Sequence, residues 1–318
     1  MSDFSYGIRA INVNGVTLHV VEQGEGPAVL FCHGFPDGWR GWRRQMRAVA
    51  EAGYRAISFD MRGYGNSSRP DEVAQYSLFT VAGDLVGLCD ALNLRQAHLV
   101  VHDFGALVGW LAAFLRPDLF VSVFGINVPP TSVTGGNILA QLRAKELTDY
   151  YMFRFIAPEA DAAWADAAVT IPGMYYWTSG LAPTEQSFDP MDPKRSPTRP
   201  SPVGMPAFID PEDGKALVAA FDRTGFRSAL NYYRALEPFF DQSGFLQGAV
   251  LRQPTLLVVG GADGNVKSRK VTREMLERIL TDLRGFVELD GIGHWPQLEA
   301  GDRLDKLLID FLNNNPKI

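Results

Sequence analysis

The sequence has little that would carry the chain into a membrane or onto nucleic acid. No uninterrupted apolar run approaches the length needed to span a bilayer. The start, MSDFSYGIRAINVNG, has neither the basic segment nor the apolar stretch of a signal peptide. A soluble, cytoplasmic protein is expected. Positive charge is not in excess: 30 Lys and Arg against 36 Asp and Glu leave a net charge of −6, the wrong sign for a phosphate-backbone binder. Cysteine is scarce. Cys32 falls in a strand-like run and Cys89 in a helix-like one, without metal-type spacing, so buried free thiols are expected and no metal or cofactor is called for. Repeats at solenoid periods are missing. With 31 glycines, 20 prolines, 46% hydrophobic and 21% charged residues, the composition excludes a disordered or low-complexity chain. What remains, at 318 residues, is one large α/β domain or a core carrying a sizeable insertion.

The first 130 residues alternate β-branched runs with helical stretches. AINVNGVTLHVVEQG (10–24) reads as a hairpin turning at Asn14-Gly15. AVLFCHG (28–34), YRAISFD (54–60), AHLVVHD (97–103) and VSVFGIN (121–127) are almost continuously apolar, as strands buried on both faces of a parallel sheet must be. Between them, apolar residues at helical spacing near 39–52, 78–93 and 104–116 predict β-α-β crossovers. The alternation stops at Val128-Pro129-Pro130 and resumes with TLLVVGG (255–261) and GFVELDG (285–291), each followed by a helix-like segment. The intervening stretch of about 125 residues is far longer than an ordinary connection. It must form a subdomain, helical at its ends (137–155 and 213–235), with an irregular excursion at 178–212 that holds eight of the 20 prolines. The expected architecture is a mostly parallel sheet flanked by helices. A largely helical lid over 131–245, inserted after the sixth strand, divides the core into 1–130 and 246–318. Such an insertion sits at the carboxyl edge of the sheet, where these sheets bind ligands.

The sharpest local signal is Val101-His102-Asp103-Phe104-Gly105-Ala106, at a strand-to-helix junction. Small residues at 105 and 106 permit the tight turn that exposes residue 103 at the sheet edge, as in a nucleophile elbow. A helix N-cap is the competing reading for Asp103. Asp263 follows the strand TLLVVGG and His294 follows the last strand, in Gly291-Ile292-Gly293-His294-Trp295. Alone, Asp263 reads equally well as a turn residue and His294 as a structural histidine. Together at strand ends, in the order nucleophile, acid, histidine, the three match an α/β-hydrolase triad. His33-Gly34-Phe35-Pro36 follows the strand AVLFC; the N–H groups of Phe35 and Phe104 are candidates for an oxyanion hole, against a simple turn in which Pro36 is cis.

Serine at the elbow suits acyl transfer, because the ester it forms is one water can cleave. Attack by serine on saturated carbon would leave an ether. Attack by an aspartate carboxylate leaves an alkyl ester, which can turn over. Asp103 therefore points to epoxide opening or carbon–halogen cleavage, with His294, oriented by Asp263, activating water for the second step. Here the chain resembles the α/β-hydrolase-fold epoxide hydrolases, hydrolases acting on ether bonds. The resemblance covers nearly the whole chain outside the Pro-rich stretch: HGFP at 33–36, Asp60-Met61-Arg62-Gly63-Tyr64-Gly65 followed by Ser67, the elbow HDFGA, and GHW at 293–295. It implies two lid tyrosines that hydrogen-bond the epoxide oxygen. One falls on Tyr233, in Asn231-Tyr232-Tyr233-Arg234 preceded by Gly225-Phe226-Arg227; the other falls on Tyr151 in Asp149-Tyr150-Tyr151-Met152, with Tyr150 open. Lid packing is the alternative role for both. Tyr150 and Tyr232 are expected to face elsewhere, since helical neighbours do not share a face.

The implied partners are a small apolar epoxide and water, bound beside Phe35, Phe104, Tyr151 and Tyr233, with no cofactor; a homodimer stays open. Phe104 stands where many relatives carry Trp, which removes the indole donor that haloalkane dehalogenases turn on the halide. Phe35 likewise replaces their second donor. Phe104 also lacks the Arg with which fluoroacetate dehalogenases grip a carboxylate. Haloalkane dehalogenase is the nearest enzymatic alternative, and a non-catalytic hydrolase-fold receptor the alternative from another class. His102 points to the opposite side of its strand and reads as structural. Asp37, Asp60 and Arg62 read as an ion-pair network or as solvated charges. Met152, Phe153, Met174, Tyr175, Tyr176 and Trp177 are either tunnel lining or lid core. Asn127 ends the sixth strand, where some relatives place the triad acid, and carries no charge.

Overall fold

A computed structural model of the chain describes residues 6–315; residues 1–5, the first part of the start read for a signal peptide, and the last three residues lie outside them. Eight strands form one sheet: β1 (Gly7–Val13), β2 (Val16–Gln23), β3 (Ala28–Cys32), β4 (Arg55–Phe59), β5 (Ala97–His102), β6 (Phe120–Ile126), β7 (Thr255–Gly260) and β8 (Leu283–Leu289). Their spatial order is β1-β2-β4-β3-β5-β6-β7-β8. The pairs β1–β2 and β2–β4 are antiparallel and the rest parallel. Asn14 and Gly15 both take positive φ (45° and 78°), the turn that matches strand twist in a two-residue hairpin.

The apolar strands are buried on both faces because helices cover both. On one side Leu99 and Val101 pack with Val81, Leu85 and Leu88 of the helix Leu78–Ala91 and Val108 and Leu111 of the helix Phe104–Leu115. On the other, Val100 packs with Met46 and Val49 of the helix Arg43–Glu51 and with Leu304 and Leu308 of the helix Gly301–Asn313. Cys32 and Cys89 are buried free thiols in the first of these layers, and burial pushes both up from the ordinary thiol range.

The sheet order positions the site. β5 is flanked by β3 and β6, and β6 by β7, so the loop after β3 lies beside the residue that ends β5, while β7 and β8 end along the same edge. Between β6 and β7 the chain forms a helical insertion, whose longer helices are Ala167–Trp177, Pro211–Thr224 and Arg227–Arg234. Two helices expected to be continuous are broken. The first stretch divides into Ile138–Ala144 and Tyr151–Ile156, where Glu146 takes φ 58° and Tyr150 is extended at ψ 132°. The second divides at Gly225, whose φ of 64° ends one helix before the next begins. Asp210 caps Pro211–Thr224, accepting from the N–H groups of Glu212 and Asp213 at 2.9 and 3.2 Å. Residues 178–210 hold one 3-10 turn, Pro193–Arg195, as their proline content predicts.

Asp37, Asp60 and Arg62 are all buried, so they are not solvated charges, and among the described residues they do not form the alternative mutual network either. Arg62 pairs instead with Asp84, Nε to Oδ2 at 2.6 Å. Asp60 accepts from the N–H groups of Trp39 and Asn66 and faces His19. Asp37 accepts from the Gly38 N–H at 2.8 Å. The Arg62 carbonyl accepts from the Tyr232 hydroxyl at 2.8 Å, so the buried ion pair also anchors the insertion. Replacing Asp84 by Ala leaves Arg62 uncompensated, and urea unfolding should show a loss of about 3–5 kcal/mol.

Candidate active site

Asp103 directly follows β5 with φ 52° and ψ −121°, a strained conformation for a residue bearing a Cβ. Two glycines make room for it. A Cβ on Gly34 would lie 2.3 Å from the Asp103 Cβ, and one on Gly105 would lie 2.1 Å from the Cys32 carbonyl oxygen. Asp103 precedes the helix Phe104–Leu115 but makes no side-chain capping bond to it. Its Oδ1 accepts instead from the Phe35 N–H at 2.7 Å; the peptide that follows, Phe35-Pro36, is cis. Elbow and turn are thus one structure.

Asp263 follows β7 and divides its carboxylate between two tasks. Oδ1 accepts from the Asn265 N–H at 2.7 Å, capping the helix Gly264–Arg269, while Oδ2 lies 2.7 Å from His294 Nδ1. The far ring nitrogen, Nε2, lies 3.6 Å from Asp103 Oδ2 and has no hydrogen-bond partner among the described residues. The loop bearing His294 is held from beneath. His102 Nε2 lies 2.7 Å from the His294 carbonyl. Asn127, at the end of β6, donates to the same carbonyl at 2.9 Å and accepts from the Gly260 N–H at 2.7 Å. His102 is therefore structural, and burial together with the nearby His294 pushes its pKa down to about 3, so it serves as a neutral hydrogen-bonding group.

A cavity of about 710 Å³ opens above these groups, lined by Asp103, Phe104, Tyr151, Tyr233, Asp263 and His294. The two tyrosine rings meet edge to face, centroids 6.2 Å apart, and Tyr233 also abuts Phe104 at 4.6 Å. Tyr232 points away to Arg62, as helical neighbours must. Tyr150 does not follow that expectation and lines the cavity too. It sits ahead of the helix that starts at Tyr151, so helical spacing does not separate the pair. Phe35 contributes its N–H, but its ring is fully buried, edge-on to Trp164 and Tyr233, and is absent from the cavity wall. Of the six aromatic and methionine residues considered for a tunnel, Met152 lines the cavity; Tyr175 instead stacks on Trp295, centroids 4.1 Å apart. Arg269 in the wall and the tie made by Asn127 had no motif to announce them.

The family profile of the alpha/beta hydrolase fold matches residues 27–163. The epoxide hydrolase of Caballeronia sordidicola is 46% identical over 314 residues, 98% of this chain and 95% of that protein. The chain belongs to the epoxide hydrolases of the α/β-hydrolase fold. Epoxide hydrolase A of Mycobacterium tuberculosis is 34% identical over 96% of both chains. Among solved structures, an epoxide hydrolase from an endophytic Streptomyces is similar with a TM-score of 0.89 at 31% identity, covering 97% of this chain and 95% of that one. An epoxide hydrolase of Vigna radiata gives 0.84 at 30%, covering 97% and 98%.

Within this epoxide hydrolase fold the electrostatics follow from one imidazole set between two carboxylates. Burial works against a charged His294, but Asp263 and Asp103 outweigh it and push the pKa from 6.5 up to about 10. Burial likewise works against the Asp103 carboxylate, yet His294 and the Phe35 N–H hold it below the ordinary range. The raised histidine binds its proton more tightly folded than unfolded. Its stabilising contribution is therefore full below pH 6.5 and is lost as the pH rises through about 10. For Asp103 the sign reverses, and its contribution is lost as the pH falls. In Asp103→Asn the imidazole loses one of its two anions. Its pKa, followed by ¹⁵N NMR, should drop below the wild-type value, and unfolding free energy should fall less steeply between pH 7 and 10.

Proposed function

We propose that this chain hydrolyses an apolar epoxide to a vicinal diol through a covalent ester on Asp103. The observation that carries the reading is the division of labour on one carboxylate: Oδ1 accepts the Phe35 N–H at 2.7 Å, while Oδ2 lies 3.6 Å from His294 Nε2 in a cavity walled by two buried phenols. Oδ2 is the free oxygen and acts as the nucleophile. It bonds to a ring carbon, the carbon–oxygen bond breaks, and the electron pair passes to the epoxide oxygen. Tyr151 and Tyr233 donate to that oxygen. Burial raises both phenols well above their ordinary 10, followed by Tyr150 at Tyr151 and by the Asp103 charge at Tyr233, which keeps them protonated as donors at neutral pH.

Alkylation turns Asp103 into a neutral ester, and His294 then faces one anion in place of two. Its proton affinity falls, so the group held as a cation at rest gives up its proton, which neutralises the alkoxide of the opened ring, and the neutral imidazole is then a base. His294 takes a proton from water, hydroxide adds to the ester carbonyl carbon, and the N–H groups of Phe35 and Phe104 receive the oxyanion. Collapse breaks the ester carbon–oxygen bond, the leaving diol oxygen takes the proton that His294 had drawn from water, and the Asp103 carboxylic acid passes its remaining proton to His294, which restores the carboxylate and the imidazolium. In this reading Asp263 orients the imidazole, residues 131–245 form the lid, and 1–130 with 246–318 the core. The free thiols Cys32 and Cys89 suit a reducing, cytoplasmic setting.

A single turnover in ¹⁸O-water with excess enzyme and styrene oxide tests the ester directly. Label should enter the Asp103 carboxylate, as read by peptide mass analysis, and direct attack of water on the ring would leave that peptide unlabelled. Tyr233→Phe removes one donor to the developing alkoxide, and rapid-quench assays should show alkylation slowed on the order of 10²-fold. Indifference to this substitution accompanied by halide release would favour the dehalogenase reading. An unchanged, zero turnover in Asp103→Asn would favour the receptor.

A further inference from the structure

Behind His294 lies a junction that the chemistry above does not use. Glu299 ends the short helix Pro296–Glu299, and the bonds its carboxylate makes run to main-chain N–H groups of two different segments. Oε2 accepts from Gly180 at 2.8 Å and from Gly293 at 3.0 Å, and Oε1 accepts from Trp295 at 3.0 Å. Gly180 belongs to the lid, while Gly293 and Trp295 flank the histidine. The same two segments touch backbone to backbone. His294 N–H donates to the Thr178 carbonyl at 2.8 Å, and the Trp295 indole N–H donates to the Thr178 hydroxyl at 2.8 Å. A Cβ on Gly180 would lie 1.7 Å from the Gly291 carbonyl oxygen, and one on Gly293 would lie 2.3 Å from that of Thr178. The face of Trp295 is closed by the Tyr175 ring, from the lid helix Ala167–Trp177.

We propose that Glu299 is a positioning residue that fastens lid segment 178–180 to the 293–295 loop, so that the body carrying the lid tyrosines also sets the place of the general base. An ionised acceptor makes stronger bonds to N–H groups than a neutral one, and here one carboxylate joins donors on the two buried residues flanking the histidine to the N–H of the exposed lid residue Gly180. The tie bears unequally on the two half-reactions. Alkylation needs Asp103 and the phenols, whereas ester cleavage needs His294 aimed at a water beside the ester, and a displacement of about 1 Å is enough to cost on the order of 10²-fold in such a step.

This inference rests on the two-step reading above, so its test measures both steps. Rapid-quench single turnovers with styrene oxide, followed by mass analysis of the Asp103 peptide, give the rates of ester formation and cleavage separately. In Glu299→Ala we expect cleavage to slow about tenfold or more, with formation slowed far less, so that ester accumulates and kcat and KM fall together while kcat/KM is nearly kept. Glu299→Gln, which retains one acceptor oxygen, should fall between. Thr178→Val removes the indole tie, together with the bond the hydroxyl donates to the Met174 carbonyl within the lid, keeps the Glu299 bonds, and should move cleavage in the same direction by a smaller factor; it carries the test should the Glu299 variants not fold. Cleavage within twofold of wild type in the folded variants overturns the inference, and so does a loss shared equally by both steps in parallel with thermal stability. A wild type that forms no ester at all would instead overturn the two-step reading itself, and this inference with it.

Discussion

The site depends on one peptide unit held where side-chain-bearing residues are rarely found. Asp103 at φ 52° and ψ −121° is held by β5 behind it and by the helix ahead of it, and the strain is offset by their packing. That conformation turns the carboxylate away from the helix it would otherwise cap and delivers Oδ1 to the Phe35 N–H. Gly34 and Gly105 are required there because any Cβ would meet the Asp103 side chain or the Cys32 carbonyl. In the proposed reaction, specificity for carbon over carbonyl chemistry would begin with the residue at this corner, and the corner is made by the sheet.

A second consequence is electrostatic. Two carboxylates approach a single buried imidazole from opposite sides, one at 2.7 Å and the other at 3.6 Å. A buried histidine would ordinarily lose its proton; this one is pushed up to about 10. A fixed proton affinity of that size would suit an acid and not a base. In the proposed reaction that affinity is not fixed, because esterification of Asp103 would remove one of the two anions at the moment a base is required. The same cavity keeps the tyrosines protonated by burying them beside a negative charge.

The insertion contributes through its aromatic packing and its fastenings to the core. Tyr232 and Tyr233 are adjacent, yet one is tied to Arg62 and the other lines the cavity, so the anchor fixes the rotation of the helix that presents the donor. Thr178, Gly180, Trp295 and Glu299 make the corresponding junction on the histidine side. The insertion is thereby joined to the core near both ends of the proposed reaction path.

Much of this was legible in the chain itself. Apolar runs bounded by turn residues specify buried parallel strands, because a strand covered on both faces tolerates little else; Asn14-Gly15 specifies its turn, and the strand-end positions of Asp103, Asp263 and His294 follow from local pattern. Tertiary structure alone decided the pairings between distant segments. Arg62 chose Asp84 over Asp60 because buried charges pair with whatever carboxylate the fold brings within reach. Tyr150 joined the cavity because it lies in the break of the helical stretch expected over 137–155, just ahead of the helix that starts at Tyr151. Phe35 gave its N–H and hid its ring, and Asn127 and Glu299 found main-chain partners in other segments. Sequence encodes which residues repeat along a strand or helix; which groups meet across the sheet edge depends on strand order and loop closure, and these exist only in the folded chain.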